Sequence, residues 1–279
     1  VRTAEDMADD PVDFVRHWRP DLVVTESLSY AAALAAEVAG IPLVHHLWGP
    51  QPSSLTKCPG FGAGSGLWPE DLVKLLSRFG AEPRAVHDVC TVDPCPPTLQ
   101  PTSVARQVRT AYLSYNGSGQ IPPWFPRPTG RPRICVSWMT TNTAAAGLEG
   151  QHPVATLVTA LAALDAEVVA VVWPADRERI GPVPAGVRLV TDLPLHTVLA
   201  TCDAAVNHGG AGTMLTAACH GVPQVIVPQE GGLVFNADCL AATGAGTPTR
   251  LPARALNMTT NPQTNTRNSR SPYDRSDIP

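Results

Sequence analysis

The sequence predicts an α/β protein made of two doubly wound parallel-sheet domains, and three observations carry that reading. Short apolar runs of strand length alternate with Ala-rich runs of helical length along most of the 279 residues, the pattern of repeated β-α-β units. A proline-rich stretch, 116–132, interrupts that alternation once. Finally, the run His208-Gly209-Gly210-Ala211-Gly212-Thr213 lies where an apolar strand feeds a helix, a junction suited to anions.

The elements follow in order. Residues 21–25 read as a buried strand, 30–38 as a helix stopped by Gly40, and 41–45 as the next strand, one β-α-β step. A Gly-, Pro- and Ser-rich loop, 51–69, is of the kind that covers pockets. Residues 70–79 carry helical apolar spacing at Leu72, Val73, Leu75, Leu76 and Phe79, and 111–115 look like a strand leaving the first domain. The second domain opens with a strand at 133–138, a helix at 154–164 and an apolar strand at 167–173. A strand at 187–190, a short helix at 196–201 and a strand at 203–207 lead into the glycine loop. A helix over 214–219 ends at Gly221, a strand spans 224–227, and a last helix through Asn236 and Ala237 stops at Gly244.

The predicted boundaries are therefore a first domain over 1–120, a linker over 121–132, a second domain over 133–250 and a tail over 251–279. Prolines at 122, 123, 126, 128 and 132 make the linker stiff and unable to continue a helix or a central strand. Half of all the asparagines fall in the tail, which lacks apolar periodicity and is expected to be disordered.

Composition removes several function classes. A net charge of −4 without basic clusters argues against nucleic acid as a partner. No apolar stretch reaches the roughly 18–20 residues of a membrane span, and residues 1–13 are acidic, unlike a signal peptide. A soluble cytoplasmic protein is expected. The seven cysteines are scattered and show no paired CxxC spacing, so neither a disulfide framework nor a zinc site is predicted.

The glycine loop holds the chemistry. Glycines let backbone approach a ligand closely, the first N–H groups of a helix have no partners within it, and the helix dipole favours negative charge. A diphosphate fits such a cradle, although a glycine turn alone also serves as a plain tight connection.

The segment HGGAGTMLTAACHGVPQVIVPQEGGLVFNADCLAATGAG, from His208 to Gly246, resembles the donor-binding end of GT-B glycosyltransferases that decorate actinobacterial natural products such as macrolide and anthracycline antibiotics. Residues 21–50, 115–124, 133–141 and 194–207 resemble the same family in the same order. The resemblance implies two Rossmann-like domains facing a cleft. It also implies an inverting transfer of a deoxysugar from a nucleoside diphosphate, dTDP above all, to a hydrophobic aglycone. His208, Gly209, Gly210, Gly212 and Thr213, with Thr140 and Thr141, would then hold the diphosphate. Leu193, Leu195, Gln229 and Asn236 would lie at the base and sugar. His45, His46 and Trp48 would line the acceptor pocket. No cofactor or metal is expected, because loop N–H groups, the helix dipole and His208 would stabilise the leaving diphosphate. An auxiliary activator protein joins the expected partners, since some relatives require one.

Several departures qualify that expectation. Gly232-Leu233 stands where many members carry Asp-Gln, whose side chains grip sugar hydroxyls, and Met139 replaces a common glycine. The family's base histidine has no match here; Glu26 matches an acidic position of the family, and His45 or His46 would be the substitute base. The chain reads as truncated at both ends, its first domain incomplete. A nucleotide-binding fragment or pseudoenzyme without transfer is the alternative, and a GT-B sugar-nucleotide epimerase is a third reading.

Overall fold

The computed structural model describes residues 2–52, 69–82, 89–103, 106–125, 130–138, 153–229 and 231–249. The chain divides after Ala111 into two compact units.

The first unit begins with helices α1 (Arg2–Met7) and α2 (Asp9–Trp18). It continues through β1 (Val23–Thr25), α3 (Tyr30–Ala39), β2 (Leu43–His46), α4 (Glu70–Arg78), β3 (Cys90–Asp93) and β4 (Gln107–Arg109). The four strands form a parallel sheet in the order β1-β2-β3-β4. Helix α2 buries Val12 and Val15, α3 buries Leu34 and Ala35, and α4 buries Leu72, Leu75 and Leu76, and these side chains meet in one cluster. Gly40 closes α3 at φ 65°, where its N–H reaches the Ala36 carbonyl, the left-handed stop that glycine makes easily.

Two expectations change here. Strand β1, expected to be buried, lies at the sheet edge with Val24 59% exposed. Its apolar sequence is compatible with either position, and only the pairing decides. The strand expected at 111–115 is absent, and the ladder is completed instead by Gln107–Arg109. Tyr112 and the residues after it belong to the second unit. There the Tyr112 hydroxyl bonds the Gly212 carbonyl at 3.2 Å, and Asn116 exchanges two hydrogen bonds with His196.

The second unit holds β5 (Arg133–Ser137), α5 (Pro153–Leu161), β6 (Glu167–Val171), a 3-10 turn at Pro174–Asp176, α6 (Arg177–Ile180) and β7 (Val187–Val190). It continues with α7 (Leu195–Leu199), β8 (Ala204–Asn207), α8 (Ala211–Cys219), β9 (Gln224–Ile226), α9 (Gly231–Ala242) and β10 (Gly246–Pro248). The strands form a six-stranded parallel sheet in the order β10-β9-β8-β5-β6-β7. Central strands buried on both faces read as continuous apolar runs, and β6 is buried along its whole length.

Alternation divides the core of this unit into two layers. Cys135, Val169, Val171 and Ala205 face one, with Phe125, Leu195, Val198 and Leu199. Val136, Trp138, Val168, Ala170 and Val206 face the other, with Val154 and Val158 of α5. Each fully buried Leu or Val contributes about 1.5–3 kcal/mol. At the amino-terminal ends of the strands, the Arg133 guanidinium donates to Glu167 at 2.9 Å, with both side chains buried. Two parallel-sheet α/β units are thus the fold that the alternation predicted.

The six described cysteines, among them Cys135 and Cys202, carry free thiols. The 51–69 loop, between residues 53 and 68, and the 251–279 tail lie outside the described residues.

Candidate functional site

The strand order reverses between β8 and β5: β6 and β7 continue from β5 in one direction, and β9 and β10 from β8 in the other. In doubly wound sheets the ligand crevice opens outside the carboxyl ends of the strands at that reversal. Here the reversal pairs Ser137 with Asn207. The chain beyond those two residues continues as Trp138 on one side and His208-Gly209-Gly210 on the other.

Gly209 turns the chain at φ 91°. Gly210 is the N-cap of α8, in extended conformation, and its carbonyl accepts the Met214 N–H at 2.9 Å. The N–H groups of Gly210, Ala211, Gly212 and Thr213 have no hydrogen-bond partner among the described residues. Four successive free donors at the positive end of a helix make an anion cradle.

The His208 imidazole closes one side of it, for a Cβ placed on Gly210 would lie 2.5 Å from His208 Nε2. His208 is buried, and burial pushes its pKa down to about 4 against an opposing pull from the Ser137 backbone. The ring is therefore neutral near pH 7. It stands 5.7 Å from the Trp138 ring, tilted by 54°. Ser137 Oγ, Trp138 Nε1 and His208 Nδ1 are buried without a hydrogen bond of regular geometry among the described residues. Leaving such a group unpaired costs about 1–3 kcal/mol, so Ser137 Oγ and Trp138 Nε1 at the sheet reversal have hydrogen-bonding capacity to offer a polar guest.

The expected site residues divide accordingly. His208, Gly210, Gly212 and Thr213 come together around the cradle, with Gly212 exposed and Thr213 half-buried. Gly209 differs from expectation: its N–H donates to Asn207 Oδ1 at 2.8 Å, so it supplies the bend and not a free donor. Asn236, at the buried side of the loop, donates to the Gly209 carbonyl at 2.8 Å. Gln229 is half-buried just beyond β9. Leu193 and Leu195 are core residues at 6% and 1% exposure, which leaves backbone as what that stretch offers a ligand. Thr140, Thr141 and Met139 lie outside the described residues.

In the first unit, Glu26 follows β1, and its Oε2 accepts the Leu28 N–H at 2.8 Å, capping the turn into α3. His45 is buried in β2, whereas His46 and Trp48 are exposed at its carboxyl end. Ser137, Trp138, Asn207 and Gln224 were not among the expected site residues. Asn207 and Gln224 carried a usable signal, each being a polar amide in an otherwise apolar strand run. Among the described residues no cluster of three or more His, Cys, Asp or Glu side chains is placed to hold a metal ion. No described helix is long and apolar enough to cross a membrane.

Known proteins resemble this chain along both units. Residues 1–138 match the family profile described as erythromycin biosynthesis protein CIII-like, N-terminal domain, and residues 155–267 match that of its C-terminal domain. The chain is 38% identical over 255 residues to the TDP-daunosamine transferase DnrS of Streptomyces peucetius, a match covering 87% of the chain and 59% of that transferase. Its structure is similar to the glycosyltransferase SnogD from Streptomyces nogalater, with a TM-score of 0.70 and 30% identity over 91% of this chain and 68% of that one. It is also similar to the spinosyn rhamnosyltransferase SpnG complexed with thymidine diphosphate, with a TM-score of 0.73 and 28% identity over 88% of this chain and 66% of that one. With both domain profiles in order along a pair of parallel-sheet units, and the glycine loop at the second unit's strand reversal, the chain, which spans about three fifths of the length of the curated relatives it matches, belongs to the erythromycin biosynthesis protein CIII-like family of GT-B glycosyltransferases.

Proposed function

We propose that the second unit binds a nucleoside diphosphate sugar, thymidine diphosphate being the nucleotide, and that the protein transfers the deoxysugar to a hydrophobic natural-product aglycone with inversion. The observation that carries this reading is the row of four free N–H groups at Gly210–Thr213 beside a buried, neutral His208. The daunosamine transferase and the thymidine diphosphate complex among the similar proteins support it.

In such a transfer the acceptor oxygen attacks the anomeric carbon from the face opposite the diphosphate. The new glycosidic bond forms as the bond to the diphosphate oxygen breaks, and negative charge grows on the leaving group. Donors fixed before the reaction stabilise that charge without reorganising. The four N–H groups and the α8 dipole do so here, and we read the site as needing no resident metal. The acceptor proton passes to a general base, for which Glu26 is the acidic candidate in the first unit. We place the reaction in the cytoplasm, with an auxiliary activator as a further partner.

A second reading has one specific observation in its favour. The first turn of α9 holds Gly232 and Leu233, both without polar side chains, with Leu233 beside Gly209, where the family pattern calls for Asp-Gln. That favours a protein that binds nucleotide without transferring sugar. Calorimetry with thymidine diphosphate, followed by product analysis with dTDP-deoxysugars and a panel of aglycones, separates the two. Binding with an inverted glycoside as product is the expected result, and binding without product would overturn the transferase reading. A donor-only incubation that converts the sugar would point to an epimerase.

A further inference from the structure

We propose that Asn207, Gln224 and Asn236 are positioning residues that hold the glycine loop in its anion-binding shape before a ligand arrives. The proposal rests on the donor-site reading above. The three amides come from the end of β8, the start of β9 and the second turn of α9, and they are 0%, 3% and 5% exposed.

They form a relay. Gln224 Nε2 donates to the Met214 carbonyl at 3.0 Å, Asn207 Nδ2 donates to Gln224 Oε1 at 3.0 Å, and the Gly209 N–H donates to Asn207 Oδ1 at 2.8 Å. Asn236 Nδ2 then donates to the Gly209 carbonyl at 2.8 Å. The relay admits one orientation of its first two amides. Because the Met214 carbonyl can only accept, Gln224 must face it with its NH2 and turn its oxygen to Asn207. Asn207 must answer with its NH2, which leaves its oxygen for the Gly209 N–H. Buried amides with every role fixed in this way specify a single geometry.

Its two ends bracket the cradle. One end grips Met214, the first residue after the four free N–H groups, and the other grips Gly209, the last residue before them. Gly209 is also where the loop's backbone takes a positive φ, 91°. Both of its polar groups are held by side-chain amides, so its N–H is turned inward and the next four are left free. A loop fixed beforehand need not be ordered at the expense of binding energy.

The test uses the full chain with Asn207→Leu and Asn236→Leu, and with Leu240→Ala as a core control outside the relay. Two readouts are taken: amide hydrogen exchange of Gly209 in the ligand-free protein, and the dissociation constant for thymidine diphosphate. Asn207→Leu is expected to speed Gly209 exchange about tenfold or more, and both Leu variants to weaken binding about tenfold or more. Leu240→Ala is expected to lower the melting midpoint yet leave binding within about twofold. If a Leu variant does not fold, Asn207→Ser and Asn236→Ser take its place with the same expectations. Leu variants that bind within about twofold of the parent, or a Gly209 amide exchanging as before, would overturn the proposal. Should the parent chain bind no thymidine diphosphate, the donor reading fails, while Gly209 exchange still decides whether the relay fixes the loop.

Discussion

Three glycines of one loop are predicted to answer the same substitution in three different ways. In Gly209→Ala the new Cβ would lie 2.9 Å from the Ile226 Cγ2 methyl and 3.0 Å from the Leu233 carbonyl oxygen, on a residue at φ 91°. A side chain in that backbone region costs about 1–3 kcal/mol, and forcing a methyl into a packed wall adds about 1–3 kcal/mol. Neither neighbour yields easily, because Ile226 is fully buried and the oxygen belongs to the α9 backbone. A loss of about 4 kcal/mol is the working figure. Gly210→Ala meets the His208 ring first, at 2.5 Å from Nε2, on an ordinary extended backbone. The ring swings aside, so stability falls by about 1 kcal/mol or less while thymidine diphosphate binding weakens. Gly212→Ala meets nothing within 4 Å and sits in the first turn of α8, where alanine is favoured over glycine by about 0.5–1 kcal/mol. That variant should be as stable as the parent or slightly more so. Urea unfolding followed by circular dichroism measures all three. A Gly209→Ala protein within about 1 kcal/mol of the parent, or a Gly212→Ala protein as damaged as Gly209→Ala, would refute the loop geometry.

The other predictions concern named buried groups. His208 has its pKa lowered from 6.5 to about 4, so in acid the unfolded chain takes up the proton first. The stabilisation is complete above about pH 6.5 and is lost as pH falls towards about 4, by up to about 3 kcal/mol. Unfolding of the parent and of His208→Gln across that window checks it, and parallel pH profiles would contradict it. Glu167→Ala removes the carboxylate that neutralises the buried Arg133 guanidinium, which keeps only neutral contacts such as its hydrogen bond to Thr201 Oγ1 among those described, and should cost about 3–5 kcal/mol, leaving thymidine diphosphate binding by the folded protein unchanged because the pair lies at the opposite end of β5 and β6. Calorimetry on the folded variant reads both effects. In the first unit, Asp93 is fully buried and accepts hydrogen bonds from the Cys95 N–H and from the Gln100 and Gln107 amides. Asp93→Leu removes the shared acceptor of these three donors and should lower that unit's unfolding free energy by about 2–5 kcal/mol, seen as an earlier urea transition.

Much of this architecture was legible because local signals and tertiary demands coincide. Gly40, Gly221 and Gly244 end helices at positive φ, and the apolar run at 167–171 is a strand buried on both faces. Other elements depended on partners that no local pattern announces. Cys90–Asp93 is a strand because β2 and β4 flank it, and Arg19 closes α2 in the left-handed region without being glycine. The run at 111–115 has the side chains of a strand, but Tyr112 spends its hydroxyl on α8. At the site, the glycines were read as one class of donor, and only the positions of Asn207 and Asn236 separate the bend at Gly209 from the free N–H groups that follow it. Trp138 looked like the end of a strand. That it stands against His208 with its indole nitrogen unpaired is a product of register, since β5 and β8 reach their carboxyl ends together.

The central claim, that the loop after β8 is a diphosphate cradle, is tested most directly by nuclear magnetic resonance on the isotopically labelled chain during titration with thymidine diphosphate. The amides of Gly210, Ala211, Gly212 and Thr213 should show the largest shifts and saturate together, with the His208 ring signals moving alongside and the Gly209 amide changing little. Saturable binding that leaves those four amides in place would contradict the account.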